Sequence, residues 1–83
     1  MPRPAKRSLT LKGHRTSVSL EDPFWSAFRC MAQAEAIGIN ALAERIDAAR
    51  DADTGLATAI RLAVLDDLER RLRRAGTPGP QDG

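Results

Sequence analysis

Apolar and polar positions alternate along Arg15-Thr16-Ser17-Val18-Ser19-Leu20, and at Glu21-Asp22-Pro23 the spacing changes to a helical one. Strict alternation followed by a 3.6-residue rhythm predicts one short strand running into a helix. Thr16, Val18 and Leu20 then share one face, and Arg15, Ser17 and Ser19 the other. A weaker alternation, Ser8-Leu9-Thr10-Leu11, has the opposite parity. One continuous strand would split its leucines from Val18 and Leu20, so Lys12-Gly13 has to supply a bulge or a hairpin turn. A short extra strand or a bulged extension is expected there.

Three helices follow. The first is expected to begin at Asp22 as N-cap with Pro23 as its first residue. Phe24, Phe28 and Met31 form its apolar row, widened by Trp25 and Ala32, and Ile37-Gly38 ends it. Ile39, Leu42, Ala43 and Ile46 make the next stripe. Asp51 to Gly55 breaks the chain, with Asp53 or Thr54 as cap for a third helix over about Thr54 to Ala75. That helix carries Leu56, Ile60, Ala63, Val64, Leu68 and Leu72 on one flank and Leu62 and Leu65 on a second. A helix apolar on two flanks is expected to pack between neighbours or against a partner chain. Arg70, Arg71, Arg73 and Arg74 suit its C-terminal dipole. The organisation expected is a disordered basic arm (1–7), a folded unit (8–75) and a Pro/Gly-rich disordered tail (76–83).

A lone strand leaves its backbone groups unpaired, and 83 residues with three aromatic side chains give a small core. The one cysteine, Cys30, allows no internal disulfide. A second copy of the chain is the remaining support: two identical strands pair antiparallel across a two-fold axis. Val18, Leu20, Phe24, Trp25, Phe28, Leu42 and Ile46 are the expected shared core. The fold class is mainly α, one N-terminal strand plus three helices in an intertwined homodimer.

Charge is uneven. Residues 1–15 hold five Lys and Arg and no acid, whereas the whole chain is only +2. A basic arm on a mildly acidic body is the pattern of a polyanion-binding tail. No apolar run is long enough for a membrane helix, and no apolar segment follows the basic start, so a cytoplasmic protein is expected. His14 has no companion ligand, and no metal or other cofactor is expected. Asp51-Ala52-Asp53-Thr54-Gly55 lacks the glycine and the distal glutamate of a calcium loop. Cys30 reads as a packing residue. No nucleophilic triad or phosphate-cradling glycine loop is present, which argues against an enzyme.

Gly13-His14-Arg15-Thr16-Ser17-Val18-Ser19-Leu20-Glu21-Asp22, with Phe24-Trp25, Asn40-Ala41-Leu42 and Ile46-Asp47-Ala48-Ala49-Arg50, resembles a bacterial ribbon-helix-helix family. The likeness covers about residues 6 to 68. The wider superfamily, which includes the Arc and Met repressors and many antitoxins, implies an intertwined homodimer that binds operator DNA. On that resemblance Arg15, Ser17 and Ser19 would face the bases. Lys6, Arg7 and Lys12, with the N–H groups of Gly38, Ile39 and Asn40, would hold phosphates. The chain departs from better-known relatives in its short groove-facing side chains, since only Arg15 can reach a guanine bidentately. Glycine also stands where the second helix usually has a Ser or Thr cap. Two readings stay open. One is a dimeric DNA-binding regulator. The other is a protein-interaction or assembly module with the same fold, with residues 54–75 available to a protein partner.

Overall fold

A computed structural model describes residues 3–76. Strands β1 (Ala5–Leu11) and β2 (His14–Leu20) form an antiparallel two-stranded sheet, followed by helices α1 (Asp22–Ala34), α2 (Ile39–Ala49) and α3 (Leu56–Gly76). The single-strand expectation is thereby corrected. Residues 5–7, assigned to a disordered arm, belong to β1. The expected tail from 77 onward lies outside the described residues.

Lys12 and Gly13 form the two-residue turn, with φ of 51° and 79°. Positive φ at both central positions is the type I′ geometry, whose twist matches that of paired strands. A two-residue turn pairs odd with even positions: Ala5 with Leu20, Arg7 with Val18, Leu9 with Thr16 and Leu11 with His14. The parity conflict in the sequence is resolved by chain reversal, without a bulge. Leu9, Val18 and Leu20 all lie on the buried face. Lys6, Ser8, Thr10, Arg15, Ser17 and Ser19 are all exposed on the other.

α1 begins one residue earlier than expected. Glu21 is the N-cap, Asp22 and Pro23 open the helix, and Trp25 N–H donates to the Glu21 carbonyl at 2.9 Å. Its C-terminus does not wait for Gly38. Ile37 N–H donates to Ala32 C=O and Ala36 N–H to Gln33 C=O, both at 3.0 Å, with Ala36 at φ 57°. These two bonds are the Schellman arrangement, built here on alanine instead of glycine. Gly38 caps α2 through its carbonyl, which accepts from Leu42 N–H. α3 starts at Leu56, and Ala59 N–H donates to Gly55 C=O, so Gly55 takes the capping place expected of Asp53 or Thr54.

The core joins Leu9, Val18 and Leu20 of the sheet to Phe28, Met31 and Ala32 of α1, Leu42 and Ala43 of α2, and Ile60 and Val64 of α3. Each large apolar side chain enclosed this way contributes about 1.5–3 kcal/mol over an exposed one. Phe24, Trp25 and Ile46 are only partly buried and pack on its margin. Of the residues expected in a shared core, Val18, Leu20, Phe28 and Leu42 are buried within this one chain, to which β1 and α3 add walls. The long apolar flank of α3 ends at Val64: Leu68 and Leu72, placed with it by periodicity, are exposed together with Leu62 and Leu65. Beyond Val64 the helix faces the end of α1 and Arg45 of α2 with Asp67, Arg70, Arg71 and Arg74, and among the described residues no element covers these leucines.

Ala36 sits in the left-handed region, which costs a non-glycine residue about 1–2 kcal/mol. Replacing Ala36 by Gly removes that strain at an exposed position. Thermal denaturation should show a higher midpoint, equivalent to a gain of about 0.5–1 kcal/mol.

Candidate nucleic-acid interface

The exposed face of the hairpin is flat and polar: Lys6 opposite Ser19, Ser8 opposite Ser17, Thr10 opposite Arg15. Three of its six side chains are serines, two are cations and none is an acid. Lys12 lies at the turn end of the same surface, whereas His14, paired with Leu11, is exposed at the end of the inner face. Among the described residues no ion pair engages Lys6, Lys12 or Arg15. Their charges are therefore available to a polyanion.

The two edges of the sheet are treated differently. A type I′ turn makes Leu11 and His14 a hydrogen-bonded pair, so residues 14, 16, 18 and 20 of β2 bond inward to β1. The backbone groups of residues 15, 17 and 19, and of 6, 8 and 10 on β1, point away from the pairing. α2 covers the β1 edge: Thr10 N–H donates to Asn40 Oδ1 at 2.9 Å, and Lys12 N–H to Glu44 Oε2 at 2.8 Å. At the β2 edge, Arg61 of α3 donates to Ser19 C=O at 3.1 Å. Toward Arg15 and Ser17 that edge is open.

Asn40 thus has a role that spacing did not reveal, as an edge cap. By the same bond it fixes the start of α2 beside the strand. The α2 N-terminus has no side-chain cap, so the N–H groups that open the helix next to Gly38, Ile39 and Asn40 keep their capacity for an anion. Asn40 ties this helix end to the β1 edge, while Gly38 and Ile39 border a cleft shared with Ser26, Arg29 and Gln33 of α1.

Arg7 does not join it. Its position on the inner face carries the guanidinium to Asp22 and to Leu20 C=O, and 5.5 Å over the Trp25 ring. Its side chain is 19% exposed, and this half-buried, bonded cation ties the hairpin to α1 instead of reaching a phosphate. Arg61 makes a second tie, to Glu21 Oε1 at 2.9 Å, with its guanidinium 5.8 Å from the Phe24 ring centre. The backbone amide of Glu21 itself, and then Arg61, hold this carboxyl below the usual glutamate range. A bidentate Arg45–Glu35 pair at 2.7 and 2.8 Å joins α2 to the end of α1 and lowers the Glu35 carboxyl likewise. None of these ties was legible from the charge pattern, where Arg7 and Arg61 look like any other surface cations. The parity of Arg7 with Leu9 was the one available signal.

No group of three or more His, Cys, Asp and Glu side chains among the described residues is placed to hold a metal ion. No helix of the described residues is long and apolar enough to cross a membrane. A family model for the ribbon-helix-helix domain matches residues 4–68, spanning the hairpin, α1, α2 and most of the buried part of α3. The chain belongs to the ribbon-helix-helix domain family. Curated proteins and solved structures gave no match. At the coarse level the family points to a DNA-binding regulator and to a non-enzymatic module. In this ribbon-helix-helix domain the start of α2 is bonded to the β1 edge through Asn40, whereas Arg7 lies beneath the ribbon.

The positions of Lys6 and Arg7 on opposite faces separate two effects. Arg7→Ala should lower the thermal midpoint by the equivalent of about 1 kcal/mol, since it removes the guanidinium packed over Trp25 and its ion pair with Asp22. Lys6→Ala should leave the midpoint within about 0.5 kcal/mol of the parent. Paired melting curves of the two variants check both values.

Proposed function

We propose that this protein is a duplex-DNA-binding regulator that lays the outer face of its β1–β2 hairpin in the major groove. The carrying observation is the six-residue outer face, with Lys6 and Arg15 outside any ion pair and no acid, and an uncapped helix N-terminus tied to its β1 edge by Asn40. A two-stranded ribbon fits a groove about 12 Å wide. Arg15 is the side chain able to read guanine; Ser17 and Ser19 can contact any base and discriminate little. Lys6, Lys12 and the N–H groups at the start of α2 hold the flanking phosphates. Arg7 contributes by fixing the ribbon on α1. The protein works as a homodimer in the cytoplasm, on the nucleoid.

The open β2 edge favours a second reading. A copy of β2 pairing at Arg15 and Ser17 would make a four-stranded sheet. At about 4.8 Å per strand its outer strands stand about 14 Å apart, wider than the groove. In that assembly the dimeric fold is an interaction module, and the serine-rich face no longer reads bases.

Fluorescence polarisation with mixed-sequence duplexes separates the readings. Affinity should fall with salt at a logarithmic slope of about −3 for one hairpin and about −5 for two. Arg15→Ala should cost about 1–3 kcal/mol on the preferred sequence and flatten the ranking of sequences. Lys6→Ala should weaken every duplex alike. Absence of binding to any duplex at about 50 mM salt would reject DNA binding and leave the assembly reading.

A further inference from the structure

Four leucines on α3 face solvent: Leu62 is 57% exposed, Leu65 50%, Leu68 50% and Leu72 73%. At 100° per residue, Leu65, Leu68 and Leu72 fall in a stripe about 60° wide that continues beyond the part of α3 anchored by Ile60 and Val64. Leu62 borders it. A row of this kind on an extended helix is the form of a helix–helix seam, and nothing else in the chain covers it among the described residues.

The charges beside the seam select its occupant. Asp66, Asp67 and Glu69 precede Arg70, Arg71, Arg73 and Arg74, so the exposed half of α3 is acidic toward its start and basic toward its end. Within the helix Arg70 pairs with Asp66 and Asp67, and Arg71 with Asp67, across 2.9–3.9 Å. A parallel copy would set acid beside acid and arginine beside arginine. An antiparallel copy sets each acidic half against a basic half and brings Leu65 opposite Leu72 of the other chain, with Leu68 beside the two-fold axis. The helix is therefore complementary to itself in one orientation only. A uniformly anionic surface, such as a membrane or a nucleic acid, would be attracted only at the arginine end and repelled at the acidic start.

We infer that α3 is a self-association element: a second copy of this chain docks its α3 antiparallel along the Leu65-Leu68-Leu72 seam. This interface lies apart from the hairpin and does not depend on DNA binding. It links two chains while leaving each outer sheet face free.

Sedimentation equilibrium of the full chain without DNA tests the seam, and disulfide trapping tests its orientation. At about 100 µM the wild type should exceed monomer mass, and Leu65→Gln/Leu72→Gln should fall to half that mass or less. Because both positions are exposed, circular dichroism should show the variant folded as before. In a Cys30→Ser background, Leu68→Cys should crosslink to its own copy, and Leu65→Cys should crosslink to Leu72→Cys when the two are mixed. Leu72→Cys alone should not, because a bridge needs Cα atoms within about 7 Å. Equal masses for wild type and the double variant would overturn the proposal. So would efficient self-crosslinking of Leu72→Cys, which marks a parallel seam.

Discussion

The two-residue turn at Lys12-Gly13 is the constraint on which the rest of the structure depends. Its left-handed dihedrals set the pairing of β1 with β2 to residue sums that are odd, so positions of opposite parity share a face. Shift that register by one residue and Leu9 would leave the core while Thr10 entered it. The turn thus decides which side chains wall off Phe28 and Leu42. It also decides which backbone groups remain for Asn40, Glu44 and Arg61 to satisfy. Gly13 suits the conformation; Lys12 adopts it at some cost, with its N–H held by Glu44.

From the register follows a division of labour between cations of similar appearance. Arg7 and Arg61 are drawn inward onto Asp22, Glu21 and the strand carbonyls, each against an aromatic ring. They hold the hairpin and the helices at a fixed angle. Lys6 and Arg15, one residue out of phase or on the facing strand, keep their charges for whatever lies above the sheet. A ribbon whose polar face is short and whose support is rigid favours backbone attachment to DNA over detailed base reading.

Much of this was written in the sequence. The strand at Arg15 to Leu20, the three helices and the apolar rows of α1 and α2 all followed from periodicity and capping chemistry, and Gly38 as the α2 cap followed from the family resemblance. The hairpin was half legible: Leu9 and Leu11 conflicted in parity with Val18 and Leu20, and a two-residue turn removes that conflict. Lys-Gly lacks the Asn-Gly or Asp-Gly signature that would have decided it. The end of α1 was misplaced because alanine, not glycine, takes the left-handed position. Leu68 and Leu72 continue the helical period of Ile60 and Val64, and period alone cannot show that α3 there meets the body through Asp67, Arg70 and Arg71 instead. For the candidate interface, the strand alternation placed Arg15, Ser17 and Ser19 outward. Whether a given arginine is bonded beneath the sheet or free above it required the fold.

The most direct measurement is residue-resolved amide hydrogen exchange of the free protein. With β1 paired to β2, the amides of Arg7, Leu9, Thr16, Val18 and Leu20 should exchange slowly, and Thr10 should be slowed by Asn40. Those of Arg15 and Ser17, on the open edge, should exchange fast. Fast exchange throughout residues 5–11, with slow exchange at Arg15, Ser17 and Ser19, would contradict this structure. It would mean that β2 pairs with another chain in place of its own β1.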